Sequence, residues 1–412
     1  MLFRAIGFAA AALAWGQPVP AQSKVFQLAF SESSQADEEL ATIIRFAGHF
    51  QPHAVVASSN AISVSGNASQ VELAQWVIGE LDKPAVAPLP ANSAEHQYRT
   101  QDGSGDIVKV IHLAHSKNRL DLLEVMTSMR VITELHFMQP YHPRQALVFR
   151  GTSEQILLAG WVAGELDWPV DGPLPSRSDA HQYLVKDGTG DVARLSYVAN
   201  AATPQSLQEV MTLIRTLTDI RHLFPLMTRK VLSWRGTADQ IQMVEWLIGE
   251  LDKPDDAPLS PNSAGQQYRV QDNSGEIVRV FYLAQAKTPR DLDEVMTLLR
   301  TVTDMRRAFP YRARKALGFR GAPDQMRLGE WLVNTLEKPP GSGQFQMAAG
   351  DEQVSVFFLP PSRSSKELQD LFGSVRTATE APQMFFTEAQ KAIAIRGTAA
   401  QIATAKRMIE QP

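Results

Sequence analysis

Four tryptophans, Trp76, Trp161, Trp246 and Trp331, stand 85 residues apart. The same interval separates Gly66, Gly151, Gly236 and Gly321, and again Pro84, Pro169, Pro254 and Pro339. One interval held by three residue types marks an internal repeat, and a repeated chain folds as copies of one small unit. A shorter fifth copy closes the sequence, with Arg396-Gly397-Thr398 in register with Arg150-Gly151-Thr152 and Arg235-Gly236-Thr237. By length alone the 412 residues suggest about three domains. The repeat predicts five small modules instead.

The third copy shows what one module contains. Val192-Ala-Arg-Leu-Ser-Tyr-Val198 has strand composition. Thr203-Pro204 opens a helix, because Thr caps it and Pro at the first helical position gives up an N–H that has no partner there. Leu207, Val210, Met211, Ile214 and Leu217 follow at helical spacing. His222-Leu-Phe-Pro-Leu226 and Val231-Leu-Ser-Trp-Arg235 read as a strand pair around a polar turn. Thr237 and Gln240 form a capping box, repeated as Asn67 with Gln70, Thr152 with Gln155 and Thr398 with Gln401. The closing helix stops at Leu251-Asp252-Lys253-Pro254. The fold class expected is α+β: five tandem βαββα modules, each a small sheet with two helices on one face.

Copies two to four add a run in front: Gln97-Tyr98-Arg99, Gln182-Tyr183-Leu184 and Gln267-Tyr268-Arg269, each followed by an Asp-Gly-type turn. That is a β-hairpin signal. The fifth copy has a shorter version around Phe345 to Val354, and the first has none. The expected organisation is residues 1–21 as a signal peptide, 22–84 as module 1 and 85–94 as a linker. Module 2 covers 95–169, a linker 170–179, module 3 180–254 and a linker 255–264. Module 4 covers 265–339 and a capping module 5 covers 340–412. The linkers are Pro-rich and semi-rigid.

On a wheel of about 100° per residue, Val244, Leu247, Ile248 and Leu251 share an arc about 100° wide near Ile241, while Trp246 falls well away from it. Met243 lies beside Trp246, and its counterparts are Leu73, Leu158 and Leu328. Modules one to four thus carry a second apolar ledge. Module five has Thr404 and Arg407 at those positions. The ledge is present where a module follows; the tyrosine run is present where one precedes. The expected arrangement packs each ledge, with Trp76, Trp161, Trp246 or Trp331, under the hairpin of the next module, the runs that carry Tyr98, Tyr183 and Tyr268 among them. Each buried indole is worth about 2–3 kcal/mol, a large term for modules this small. A tryptophan row facing a ligand, or one completing its own core, is the alternative.

Residues 1–21 combine Arg4, an apolar run from Ala5 to Trp15 and small residues at the -3 and -1 positions of a cut after Ala21. This is the pattern of a secretory signal peptide, too short in its apolar core for a membrane span. No later segment has 18 consecutive apolar residues, so an exported chain without a transmembrane segment is expected. With 40 Lys+Arg against 44 Asp+Glu, the net charge of -4 argues against a general nucleic-acid binder. The absence of cysteine excludes disulfides, thiolate metal sites and cysteine nucleophiles.

The βαββα plan, the Arg-Gly-Thr…Gln turn and the Leu-Asp-Lys-Pro ending resemble the short N-terminal domains of bacterial secretins. These are the outer-membrane channel proteins of type II and III secretion and of type IV pili. Ser59-Asn60-Ala61-Ile62-Ser63-Val64-Ser65-Gly66 and Leu81-Asp82-Lys83-Pro84 carry the match best. Gln145, Lys230, Lys315 and Lys391 depart from it at the Asn60 position. The resemblance implies a periplasmic, non-catalytic domain array that binds neighbouring subunits or secretion partners. The channel region is absent from the sequence, which ends at Pro412, so a scaffold is expected rather than a pore. Its partners would be envelope or secretion-system proteins or copies of itself.

Chemistry-bearing motifs are sparse. Nine histidines are scattered, and only His96 and His181 share a register. His112, His115, His136 and His142 make module two the one place for a metal or an enzyme, but the spacing lacks the zincin pattern. Nucleophile-elbow and phosphate-loop motifs are absent. The Gly103-Ser-Gly105 and Gly188-Thr-Gly190 pieces suit hairpin turns better than anion cradles. No enzyme and no cofactor are expected. Module four is locally basic, with Arg300, Arg306, Arg307, Arg312, Arg314, Lys315 and Arg320. Arg306, Arg307, Arg312, Arg314 and Lys315 form a candidate patch for an acidic partner, against the simpler reading of a solvated charged face. The KH-type RNA-binding clamp is missing.

Overall fold

A computed structural model describes residues 22–84, 96–116, 118–169, 172, 181–201, 203–254, 257–258, 267–272, 274–338, 343–347 and 351–410. The expected signal peptide, and almost all of the three expected linkers, lie outside these residues.

The first module runs β1 (Gln22–Gln27), α1 (Ser34–Ala47), β2 (Val55–Ser58), β3 (Ala61–Gly66) and α2 (Ala68–Leu81). The second is β4 (Gln97–Arg99), β5 (Ile107–His112), α3 (Arg119–Thr133), β6 (Phe137–Tyr141), β7 (Ala146–Gly151) and α4 (Ser153–Leu166). The third repeats it as β8 (Gln182–Leu184), β9 (Val192–Tyr197), α5 (Pro204–Thr218), β10 (His222–Leu226), β11 (Val231–Gly236) and α6 (Ala238–Leu251). The fourth is β12 (Gln267–Arg269), β13 (Ile277–Tyr282), α7 (Pro289–Thr303), β14 (Arg307–Tyr311), β15 (Ala316–Gly321) and α8 (Pro323–Leu336). The fifth is β16 (Gly343–Gln346), β17 (Glu352–Phe358), α9 (Ser365–Thr379), β18 (Gln383–Thr387), β19 (Ala392–Thr398) and α10 (Ala399–Glu410).

The α+β plan read from the third copy is therefore the plan of the fold. Capping boxes close Thr203 with Ser206, Thr237 with Gln240, Thr288 with Asp291 and Ser364 with Glu367, satisfying helix-start N–H groups that have no intrahelical acceptor. The hairpin expectation needs one refinement. The tyrosine strand pairs directly with the module's own first strand, Tyr183 opposite Ala193 and Tyr268 opposite Val278. It adds a single edge strand, giving four-stranded sheets where the first module has three. Gly188 and Gly190 make that turn with φ of 88° and 74°, values that a side chain resists.

Every module also holds two non-glycine residues at positive φ. In the third these are Asp219 after the first helix and Lys230 in the β10–β11 turn, at 58° and 51°. Asn60, Gln145, Lys315 and Lys391 take the Lys230 position with φ of 55°, 47°, 47° and 50°. The departure from Asn60 in later copies thus leaves the turn conformation unchanged.

Two compact units divide the chain, one holding residues up to Ala114 with Leu135–Ile156, the other His115–Glu134 with Leu157–Pro412. Their border runs inside the second repeat rather than along a linker. Within the first unit, Ile43, Ile44, Leu73 and Val77 of α1 and α2 share one core with Val108, Val110, Tyr141 and Val148 of the second sheet. Within the other, the core of α5 and α6 continues into Val278, Val280, Tyr282 and Tyr311 of the fourth sheet. The core of α7 and α8 continues into Val354, Val356, Ala392 and Ala394 of the fifth. Strands β11, β13 and β15 are buried at all six positions. A half-buried strand would alternate. These do not, because helices cover both faces of each sheet: the module's own and the preceding module's.

Candidate interaction site

The residues shared between repeats converge on the junctions between modules, and these junctions are the site. The indole of Trp76 lies against Tyr98 with ring centroids 5.7 Å apart. Trp161 meets Tyr183 at 5.6 Å, Trp246 meets Tyr268 at 5.9 Å and Trp331 meets Phe345 at 5.4 Å. All four pairs are tilted, away from the face-to-face sandwich that aromatic quadrupoles disfavour. Leu73, Leu158, Met243 and Leu328 are buried. Met243 belongs to the same core as Leu247 and Val278. The two apolar faces expected on this helix are therefore one continuous face, broadened because the next sheet also packs on it.

An arginine clasp accompanies each aromatic pair. Nη1 of Arg150, Arg235, Arg320 and Arg396 donates to a carbonyl at the end of the preceding module's first helix: Ala47, Ile132, Leu217 and Val302, at 2.9, 3.4, 3.1 and 3.5 Å. A cation there meets the negative end of the helix dipole. The same guanidinium is held by its own module's hairpin. Nε donates to Asp106, Asp191, Glu276 and Glu352 at 2.9, 3.0, 2.6 and 2.8 Å, and the first three also bind Asp102, Asp187 and Asp272. Ser65 stands at this position in the first module. The sequence signal was available in that presence and absence, but the Arg-Gly pair reads first as turn chemistry.

A second arginine reaches the end of the preceding module's last helix. Arg144 donates to the Pro84 carbonyl at 2.6 Å. Arg229 donates to the Leu166 and Trp168 carbonyls at 2.6 and 2.8 Å, and Arg314 to those of Pro254 and Ala257. Arg229 also forms a two-pronged pair with Asp121, 2.8 and 2.6 Å, with 0% and 3% of the two side chains exposed. A third contact recurs at the 85-residue interval. Glu39, Glu124, Glu209 and Glu294 on the first helices accept backbone N–H groups of His142, Thr228, Arg312 and Glu388 in the next module.

These contacts correct the basic patch. Arg314 is buried and engaged as above. Arg312 is divided between Glu209 and Asp293 at 3.0 and 2.9 Å, and Arg307 pairs with Asp219 at 2.6 Å. Arg306 and Lys315 are exposed. The run of cations looks like one face in sequence, yet the strand and its turn send Arg307 and Arg312 to acidic partners and Arg314 to backbone carbonyls, leaving Arg306 and Lys315 exposed.

The histidines of the second module also go separate ways. His112 is buried against the Arg144 carbonyl, His115 takes Asp167, and His142 takes Glu39. His96 and His181, the two in register, pair with Glu80 and Glu165. Among the described residues no three His, Asp or Glu side chains gather closely enough to hold a metal ion.

The sheet positions under the preceding helix vary in size. Ser128 of α3 donates to Ser233 of β11 at 2.7 Å. One module on, a Cβ placed at Gly318 of β15 would lie 2.8 Å from Leu217 Cδ1 and 3.0 Å from Leu213 Cγ. Gly318→Ala is expected to lower stability by about 1 kcal/mol through overpacking, measured by urea unfolding. A neutral or stabilising result would mean that α5 yields readily and that the fit is loose.

The hairpin carboxylates respond to acid. The Thr189 hydroxyl, with help from Arg235, holds the Asp187 carboxyl below its ordinary value, and the Ser274 hydroxyl does so for Asp272, with Arg320 assisting. A lowered folded-state pKa contributes stability that is complete above the unfolded value of about 3.9 and is lost as pH falls below it. Stability is expected to fall as pH drops below about 4. The fall should shrink in Asp187→Asn and Asp272→Asn. Equal pH slopes in the variants and the parent would refute the assignment.

Solved structures similar to this chain include ExeD of Aeromonas hydrophila, at 14% identity over 53% of this chain and 40% of that one, with a TM-score of 0.14. Another is the ETEC pilotin–secretin AspS–GspD complex, at 12% identity over 75% of this chain and 56% of that one, again with a TM-score of 0.14. At that TM-score neither likeness bears on what the chain does. No protein-family model matches it, and no curated protein does.

Proposed function

We propose that the chain is a non-catalytic, periplasmic protein–protein interaction scaffold of the secretin N-domain type, an accessory of an envelope secretion or pilus system. The observation that carries this reading is the repeated junction: aromatic pair, arginine clasps and helix-borne carboxylate all join one module to the next. The charged and aromatic side chains that recur between copies act there. The secretin resemblance of the Ser59–Gly66 and Leu81–Pro84 segments supplies the compartment and the system.

The first module offers the surface. In the later modules the outer sheet face is covered by the preceding helices, as Val110 and Val148 are. The first module presents Ser23, Val25, Val56, Ser63 and Ser65 at those positions, with Val25 59% and Val56 52% exposed. A chain with polar serines there keeps itself from stacking end to end while leaving two valines for a partner. A Val25→Asp/Val56→Asp variant is expected to lose at least ten-fold in affinity for an envelope protein that the parent captures in fixed stoichiometry, with unchanged circular dichroism. A stoichiometric metal in the purified protein, removed by His112→Ala and His115→Ala, would favour the metal-site reading and overturn this one.

A further inference from the structure

The fourth and fifth modules meet without the second arginine clasp. Gln390 stands where Arg144, Arg229 and Arg314 stand in the three preceding junctions. A cavity of about 370 Å³ lies there, lined by Leu336, Glu337, Lys338, Phe358, Leu359 and Gln390 among others. Leu336 and Lys338 are the counterparts of Leu166 and Trp168, whose carbonyls receive Arg229. Gln390 Oε1 is buried with no hydrogen-bond donor. Burial pushes the Glu337 carboxyl up from its ordinary value. That carboxyl already accepts the Gln285 N–H at 3.3 and 3.2 Å, so the acceptor left without a donor is Gln390 Oε1, at the position where the three relatives place an arginine.

We propose that this cavity receives an arginine side chain from a partner protein, which completes from outside the clasp that the chain supplies itself elsewhere. The proposal rests on the scaffold reading and names the partner's chemistry. A planar guanidinium suits the place because it can divide its N–H groups between helix-end carbonyls and a side-chain oxygen. The lysines around the rim, Lys287, Lys338 and Lys391, do not argue for an anion. Lys287 lies beside the Asp291 carboxylate, which accepts its backbone N–H at 2.8 Å. Lys391 is the counterpart of Lys230 and Lys315, and Lys338 of Lys253, all of which stand beside filled arginine sites. Lys391 moreover donates its Nζ to the Arg363 carbonyl at 3.0 Å.

The test uses the full chain with N-acetyl-arginine amide, N-acetyl-lysine amide and N-acetyl-glutamate, followed by methyl NMR shifts of Leu336 and Leu359. The arginine probe is expected to saturate these shifts at least ten-fold more tightly than either other probe. Gln390→Arg should fill the cavity, abolish the response and raise the thermal midpoint. Gln390→Met, which removes the acceptor without adding charge, should weaken the probe several-fold and guards against a failure of the first variant to fold. Equal or tighter binding of N-acetyl-glutamate, or an arginine response that survives in folded Gln390→Arg, overturns the proposal. So does partner capture that Gln390→Arg leaves unchanged while Val25→Asp/Val56→Asp abolishes it. In that case the scaffold reading stands and the arginine pocket falls.

Discussion

Asp121→Ala is expected to cost about 3–5 kcal/mol, because it strands a guanidinium that has no route to water. Arg229 has 0% of its side chain exposed and takes two of its bonds from this one carboxylate. The remaining bonds, to the Leu166 and Trp168 carbonyls, keep it in place without neutralising it. Removing both partners at once, as Asp121→Leu with Arg229→Met, should recover most of the loss. Urea unfolding gives the magnitude, and hydrogen exchange along β10 and β11 locates it. A loss below about 1 kcal/mol, the range of an exposed pair, would show that water reaches this junction.

Trp246→Ala is expected to remove about 2–3 kcal/mol, the burial term for a large aromatic surface. The effect should fall on the junction of the third and fourth modules. Trp246 is packed on the core that spans both, and its ring faces Tyr268. Amides of Gln267–Arg269 should exchange faster while those at the centre of α5 keep their protection. Trp246→Phe should lose less than half as much. Unchanged exchange in β12, with a loss of partner binding instead, would place the indole in recognition rather than in joining.

Much of this was legible because a repeat supplies its own control. The contrast between Trp246 in the third copy and Arg407 at the equivalent position of the fifth marks the ledge in the sequence itself. The strand and helix assignments followed from capping boxes and stop signals that are local in sequence. What escaped was anything fixed by a partner far along the chain. Arg314 and Arg320 look like members of a basic run, and only the fold brings Arg314 to the Pro254 carbonyl and Arg320 to Asp272 and Glu276. The clasp at Arg150 was hidden for the same reason, since the Ala47 carbonyl lies in another module. Met243 looks like part of a separate face in the sequence because one helix considered alone has no second sheet against it.

The serine pair at Ser128 and Ser233 and the leucines seated over Gly318 act as unlike keys in otherwise similar locks. A helix that ends in leucine at this point would crowd Ser233, and one bearing serine would leave a void above Gly318. Rearranged chimaeras of these copies should consequently assemble poorly even though each segment keeps its own pattern. The serial order of the copies is thus written into side-chain volume as well as into connectivity, and duplication followed by such tailoring turns interchangeable parts into a sequence with one correct succession.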